Sequence, residues 1–196
     1  MATAFTRQEK NVIRDSLKQA ARQCAISLGM RKTTVEQLAQ AADISKGAFY
    51  KFYDSKELLF FEVLEDMHTE IYGCAEEALN QNSDLPAAQR TAEAALAACR
   101  LMEQNSMLDF WENDLPYLLR KVPETILKAH YHSDEEHIKE FFHKSGLLPA
   151  HLEDLAAATV RGLMLTVSHR NQIGRMYPQV LECLVHGAFE QIFHEI

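Results

Sequence analysis

The chain has 196 residues, 47% of them hydrophobic and 24% charged, with only seven Gly and five Pro. That is one compact domain or two small ones, and it excludes a disordered, collagen-like or low-complexity chain. The longest purely apolar runs, such as Leu58 to Phe61, fall far short of the roughly 20 residues that span a bilayer. The first residues enter charged sequence without an apolar signal core, so a cytoplasmic protein with no membrane partner is expected. Four widely spaced cysteines, Cys24, Cys74, Cys99 and Cys183, suit a reducing compartment. The net charge of −8 is unevenly spread: residues 1–57 hold ten Lys/Arg against six Asp/Glu, a net +4, and the remainder carries −12. A basic head on an acidic body is the asymmetry expected when only the head meets phosphate.

Helical periodicity runs through almost every segment, so the expected fold class is all-α. In the first helix, about Lys10 to Leu28, Ile13, Leu17, Ala20, Ala21 and Cys24 recur at helical spacing, and Gly29 supplies a C-terminal stop. Thr33 with Glu36 reads as a capping box for a short second helix that carries Val35, Leu38, Ala39 and Ala42 on its apolar side. It stops near Asp43, a residue type that tolerates left-handed backbone. Ser45 caps a third short helix, Lys46 to Phe52 or Tyr53, and Asp54 with Glu57 opens a long fourth helix. Further on, Pro86 starts a helix reaching about Met102, and residues 106–122 read as a helical run bent at Pro116. Pro123 and Glu124 restart it, Ser133 with Glu136 is a further cap signal, and Gly146 and Pro149 close the region. The last two helices are expected at about His151 to Asn171 and Pro178 to Glu195.

Two short helices joined by about three residues, the second opening on a capped and basic turn, have the form of a helix-turn-helix. On the third helix Phe49 and Phe52, with Ala48, can pack inward, while Lys46, Tyr50 and Tyr53 lie at i, i+4 and i+7 on a different face. That face is the right size to enter a major groove, and Gly47 and Lys51 flank it. Ser45 opens the helix and is grouped with them. Thr33 and Thr34, at the start of the second helix, and Lys56, at the start of the fourth, are candidates for phosphate oxygens.

The run Thr33-Thr34-Val35-Glu36-Gln37-Leu38-Ala39, then Asp43 to Tyr53, then Ser55-Lys56-Glu57-Leu58-Leu59, resembles the DNA-binding domain of TetR-family transcriptional regulators. The most specific part is the Ser-Lys-Gly-x-x-Tyr-x-x-Phe/Tyr helix followed at fixed distance by Ser-Lys-Glu-x-Leu. The resemblance covers about residues 10 to 60; beyond it the chain matches the family in length and helical layout. It implies an N-terminal helix-turn-helix domain over residues 1–57 and a helical effector-binding and dimerisation domain over 58–196. It also implies a homodimer on the double-stranded DNA of a near-palindromic operator, a repressor released by a small molecule. Carried over by position, Lys46, Gly47, Tyr50 and Lys51 face the groove and Thr34, Tyr50, Tyr53 and Lys56 the phosphates. Three places depart from the family pattern: Asp43-Ile44 where Gly-Val is usual, Cys24-Ala25 where Leu-Phe is frequent, and Met30 where an aromatic follows the glycine.

In the body, Met67, Met102, Met107, Phe110, Trp111 and Met164 are the expected lining of an effector pocket for a lipophilic or aromatic ligand. The acidic balance favours neutral or cationic effectors over anions. Apolar stripes on the last two helices point to a dimer interface, with Leu155, Ala158 and residues 163–167 on one and Val180, Leu184, Ala188 and Ile192 on the other. His130 and His132 fall ~200° apart on a helix and no recognised metal-ligand spacing accompanies them, so neither metal nor cofactor is expected. No nucleophile motif or phosphate-cradling glycine loop is present, and no catalytic residue is expected. The alternative reading is a small-molecule- or metal-sensing helical protein whose head contacts protein rather than DNA.

Overall fold

The computed structural model describes residues 5–194, apart from the Lys144 side chain. Met1–Ala4 and Glu195, where the sequence ends the last helix, lie outside the described residues. Among the described residues all regular structure is helical: α1 (Arg7–Ser27), α2 (Val35–Ala41), α3 (Lys46–Phe49), α4 (Lys56–Gln81), α5 (Ala87–Gln104), α6 (Leu108–Asn113), α7 (Leu115–Leu119), α8 (Glu124–Ser145), α9 (Glu153–Val167), α10 (Arg170–Ile173) and α11 (Tyr177–His194). The all-α expectation holds. No helix among the described residues is long and apolar enough to cross a membrane. Contacts gather into two compact units, the described part of Met1–His68 with Ser106–Pro123, and Thr69–Asn105 with the described part of Glu124–Ile196.

The first unit is punctuated by side chains that satisfy helix ends. Thr6 Oγ1 accepts the Glu9 N–H and the Glu9 carboxylate accepts the Thr6 N–H at 2.7 Å, so α1 starts three residues before the expected Lys10. Its inward face is Leu17, Ala20, Ala21 and Ala25, small enough for α2 to approach closely. The next cap falls one residue later than the sequence suggests. Thr34 and Gln37, not Thr33 and Glu36, exchange the capping-box bonds, because Thr33 Oγ1 turns inward and donates to the Gly29 carbonyl at 2.9 Å. Asp43 does take left-handed backbone, φ 54°, in the turn before Ser45, and Ser45 caps α3 as expected. Only Lys46–Phe49 is α-helical; the chain continues through tight turns, and the Tyr53 N–H still reaches the Phe49 carbonyl. At α4 it is Ser55 Oγ, not Asp54, that accepts the Leu58 N–H. The run after Ser106 breaks at Asp114 rather than bending at Pro116, since Pro116 sits in the first turn of α7, where no amide donor is needed.

The second unit is held chiefly by apolar helix faces. α5 carries six buried residues of small or moderate size, Thr91, Ala92, Ala94, Ala95, Ala98 and Cys99, and packs most extensively on α11 through Leu181, Val185 and Phe189. α8 runs unbroken through Ser133, correcting the cap expected there; Ser133 Oγ sits 3.4 Å from His137 Nδ1 one turn on, with no helix end to satisfy. The segment expected as one helix from His151 to Asn171 divides into α9 and α10, and Gly174 at φ 81° turns the chain toward α11. Lys139 pairs with Glu135 one turn back on α8 and with Asp154 of α9, at 2.7 Å each, and the second pair joins the two helices.

Candidate functional site

The loop between α1 and α2 is the best-organised polar structure in the first unit. Gly29, at φ 80°, lets the chain reverse, and a Cβ there would come within 3.2 Å of the Asp114 carboxylate. Asp114, 4% exposed, accepts the Met30 N–H at 2.6 Å and the Arg31 Nε–H at 3.0 Å. From the other side Lys56 Nζ donates to the carbonyls of Met30, Arg31 and Thr33 at 2.9, 3.2 and 2.6 Å. One buried carboxylate and one ammonium therefore satisfy opposite ends of the same loop's dipoles, and Met30, fully buried, fills the place where the family usually has an aromatic.

That loop fixes the start of α2, and α2 with α1 fixes α3. Phe49 is fully buried, Phe52 is half-buried against Phe5 at 5.8 Å, and Tyr53, 6% exposed, lies against Phe49 with the Arg14 guanidinium 5.8 Å from its ring. Burial, with the Glu62 carboxylate beside it, holds the Tyr53 phenol well above the usual tyrosine range. Lys18 reaches across to Asp66 at 2.9 Å and ties α1 to α4.

Six of the nine residues expected to meet DNA are exposed around α3: Thr34, Ser45, Lys46, Gly47, Tyr50 and Lys51. Tyr50, 48% exposed, lines one shallow groove with Thr34; Ser45 and Lys46 line another with Glu36. Of the other three, Thr33 and Tyr53 are buried, whereas Lys56 is of intermediate exposure and with Thr33 borders the same groove as Tyr50 and Thr34. Thr33 is buried by its bond to Gly29, Tyr53 packs in the core because i+7 on so short and tightly turned a segment comes round toward α1, and Lys56 is held by three carbonyls. Lys46 is itself paired with Glu36 on α2, which keeps the lysine ammonium charged above its ordinary range and the carboxylate below its own. The sequence reading missed Asp114 as part of this region, and no local signal marks it, since its partners lie more than eighty residues earlier.

The second unit contains an apolar cavity of about 40 Å³. Ile71, Tyr72 and Ala75 of α4, four α5 residues (Thr91, Ala94, Ala95 and Ala98), Ile138, Phe141 and Phe142 of α8, Val160 and Met164 of α9 and Phe189 of α11 line it. Of the six residues expected at an effector pocket, Met164 lines this cavity. Met102 is core in the same unit, whereas Met67, Met107 and Phe110 are buried in the first unit, Phe110 stacking on Phe60 at 6.0 Å, and Trp111 lies beside His68. The legible signal for the cavity was the alanine run on α5, which leaves room that larger residues elsewhere do not. On the outer side of α9, Leu155, Ala158, Gly162 and Leu165 form an exposed stripe, Leu165 at 62%, with Leu184 exposed on α11.

The model of the family described as bacterial regulatory proteins, tetR family, matches residues 17–63. No curated protein sequence matches the chain. Among solved structures, a TetR-family transcriptional regulator from Pectobacterium atrosepticum is similar at TM-score 0.69 and 15% identity, covering 96% of this chain and 95% of that one. The TetR family repressor AlkX from Dietzia sp., implicated in biodegradation of n-alkanes, is similar at 0.67 and 14%, covering 92% and 95%. RolR in complex with resorcinol is similar at 0.65 and 14%, covering 95% and 96%. The match through the helix-turn-helix and the fold shared along the chain agree: residues 17–63 carry the DNA-binding domain of the tetR family, and the chain has the fold of these solved structures.

Proposed function

We propose that the chain is a cytoplasmic, homodimeric repressor whose helix-turn-helix heads occupy adjacent major grooves of a near-palindromic operator, and whose body binds a small-molecule effector that releases DNA. The observation that carries the DNA-binding part is the exposed set Ser45, Lys46, Gly47, Tyr50 and Lys51 on and beside α3, with Thr34 alongside. In this reading Tyr50 and Lys46 meet base edges and Gly47 lets the backbone come close, while Thr34 and Lys51 position the head on phosphates. The Thr34 hydroxyl accepts the Gln37 N–H, and its own hydrogen is free to donate to a phosphate oxygen. Lys46 exchanges its exposed pairing with Glu36 for the DNA, a small cost for a solvent-screened pair. Thr33, Tyr53 and Lys56 act one step back, holding the loop and the α3 seat.

The dimer forms through the last long helices. The α9 stripe of Leu155, Ala158, Gly162 and Leu165 with Leu184 of α11 supports this, because its small residues admit a helix from a second copy between the leucines. Effector binding in the α4–α5–α8–α9–α11 cavity favours a form whose heads no longer match the half-site spacing, and the coupling to DNA affinity is reciprocal. A salt titration of DNA binding by the purified protein tests the phosphate contribution. The reading expects log affinity to fall linearly with log salt, with a slope near −0.9 per phosphate neutralised. Salt-insensitive association would point instead to an apolar protein contact at the head.

A further inference from the structure

The cavity of the second unit has one chemical irregularity. Its walls are aliphatic and aromatic side chains, and among the described residues no Lys, Arg, Asp, Glu or His lines it. Yet Thr91, 1% exposed, is one of its lining residues, and the Thr91 Oγ1 is buried without a hydrogen-bond partner among the described residues. A threonine within a helix ordinarily bonds the carbonyl three or four residues back, so a hydroxyl that does not is conspicuous. A buried polar atom without a partner destabilises the fold, and such atoms in native proteins call for a specific explanation.

We propose that this cavity takes a compact, uncharged, mainly hydrocarbon molecule carrying one hydrogen-bonding oxygen, and that this oxygen meets the Thr91 hydroxyl. The inference rests on the effector-binding reading above and names the ligand class for the same site. An anion or cation is excluded by desolvation, since no countercharge lines the walls to offset it. A pure hydrocarbon leaves Thr91 as it is, without a partner. An alcohol or ketone oxygen satisfies it, and a hydroxyl can either donate to or accept from Oγ1. The volume sets the size: about 40 Å³ holds a few heavy atoms, against the roughly 150 Å³ of an engineered cavity that admits benzene. Met164, half-buried and unbranched, is the wall residue best able to move aside for a slightly longer chain.

The test uses the full chain and three probes of matched length, 1-propanol, 1-chloropropane and propanoate, titrated by calorimetry. The wild type is expected to bind 1-propanol about five- to tenfold more tightly than 1-chloropropane and to leave propanoate unbound. Thr91→Val keeps the side-chain shape and removes the orphan hydroxyl, so it folds and loses the preference; Thr91→Ser retains it. Equal affinity for the alcohol and the chloride in the wild type, a preference that survives in Thr91→Val, measurable propanoate binding, or no binding of any probe overturns the proposal. DNA affinity measured with saturating 1-propanol separates this from the broader reading. Thr91-dependent binding that leaves DNA affinity unchanged upholds the ligand class and contradicts effector-driven release.

Discussion

The two units of this chain are stabilised in different ways. In the first, short helices are set by polar groups acting on backbone: Thr6, Thr34, Ser45 and Ser55 accept helix N–H groups, and Asp114 and Lys56 clasp the loop around Met30 from two sides. In the second, long helices pack through Ala, Leu, Val and Phe, and ion pairs such as Lys139 with Asp154 lie toward the surface. The difference suits the two tasks proposed. A DNA-reading face needs its few side chains held to a fixed geometry by directional bonds, whereas a ligand cavity needs apolar walls with small residues that leave space.

The largest effect expected comes from the outer stripe of the body. Leu165→Glu combined with Leu184→Glu places carboxylates on the proposed interface; sedimentation should show monomers, and operator affinity should fall by about a hundredfold or more as the second half-site contact is lost. Next is the loop clasp. Asp114→Ala removes the acceptor of a buried N–H and of Arg31, and should cost about 2 kcal/mol of stability by denaturant titration, weakening operator and random DNA alike. Lys56→Ala should act in the same direction. Substitutions on the exposed face should behave differently. Tyr50→Ala or Lys46→Ala should leave the melting temperature nearly unchanged and cost ~1–3 kcal/mol on operator with much less on random DNA. Equal losses on both DNAs would remove these two residues from base reading.

Smaller effects sharpen the contrast further. Glu36→Gln frees Lys46 and removes a negative charge from the face, so affinity for any duplex should rise a few-fold at low salt and the gain should shrink as salt increases. In the body, burial pushes the Cys99 thiol up to about 11, with the Glu103 carboxylate adding to it. Since thiolate is the reactive form, Cys99 should resist alkylation at pH 8, where exposed Cys183 reacts; fast Cys99 modification would mean the α5–α11 packing opens readily.

How much could be read from the chain follows the same division. Gly29, Asp43 and Ser45 act as their residue types dictate, because a left-handed turn or an N-cap is a local requirement. Capping and periodicity located α2 and α3, with the α2 cap one residue later and the α3 end earlier than expected, and six of the nine residues assigned to the DNA face are exposed there. The errors arise where a distant partner decides. Thr33 and Thr34 are equally good caps in sequence, and the loop's need for a bond to Gly29 settles which one does it. Lys56 is indistinguishable from a phosphate-binding lysine until the three carbonyls around it are seen. In the body, Met and aromatic content was a poor guide, since four of the six residues chosen for a pocket pack in the first unit. The cavity instead follows from absent volume at Ala94, Ala95 and Ala98, which only the packing of five helix segments reveals.

The central claim is that the α3 face reads a specific duplex as a dimer. Selection from random double-stranded DNA with the purified protein, followed by affinity for the selected sequence at two salt concentrations, tests it most directly. The account predicts a near-palindrome, bound two protomers per site and weakened steeply by salt. A folded dimer that enriches no sequence, or one whose binding is indifferent to salt, would contradict it.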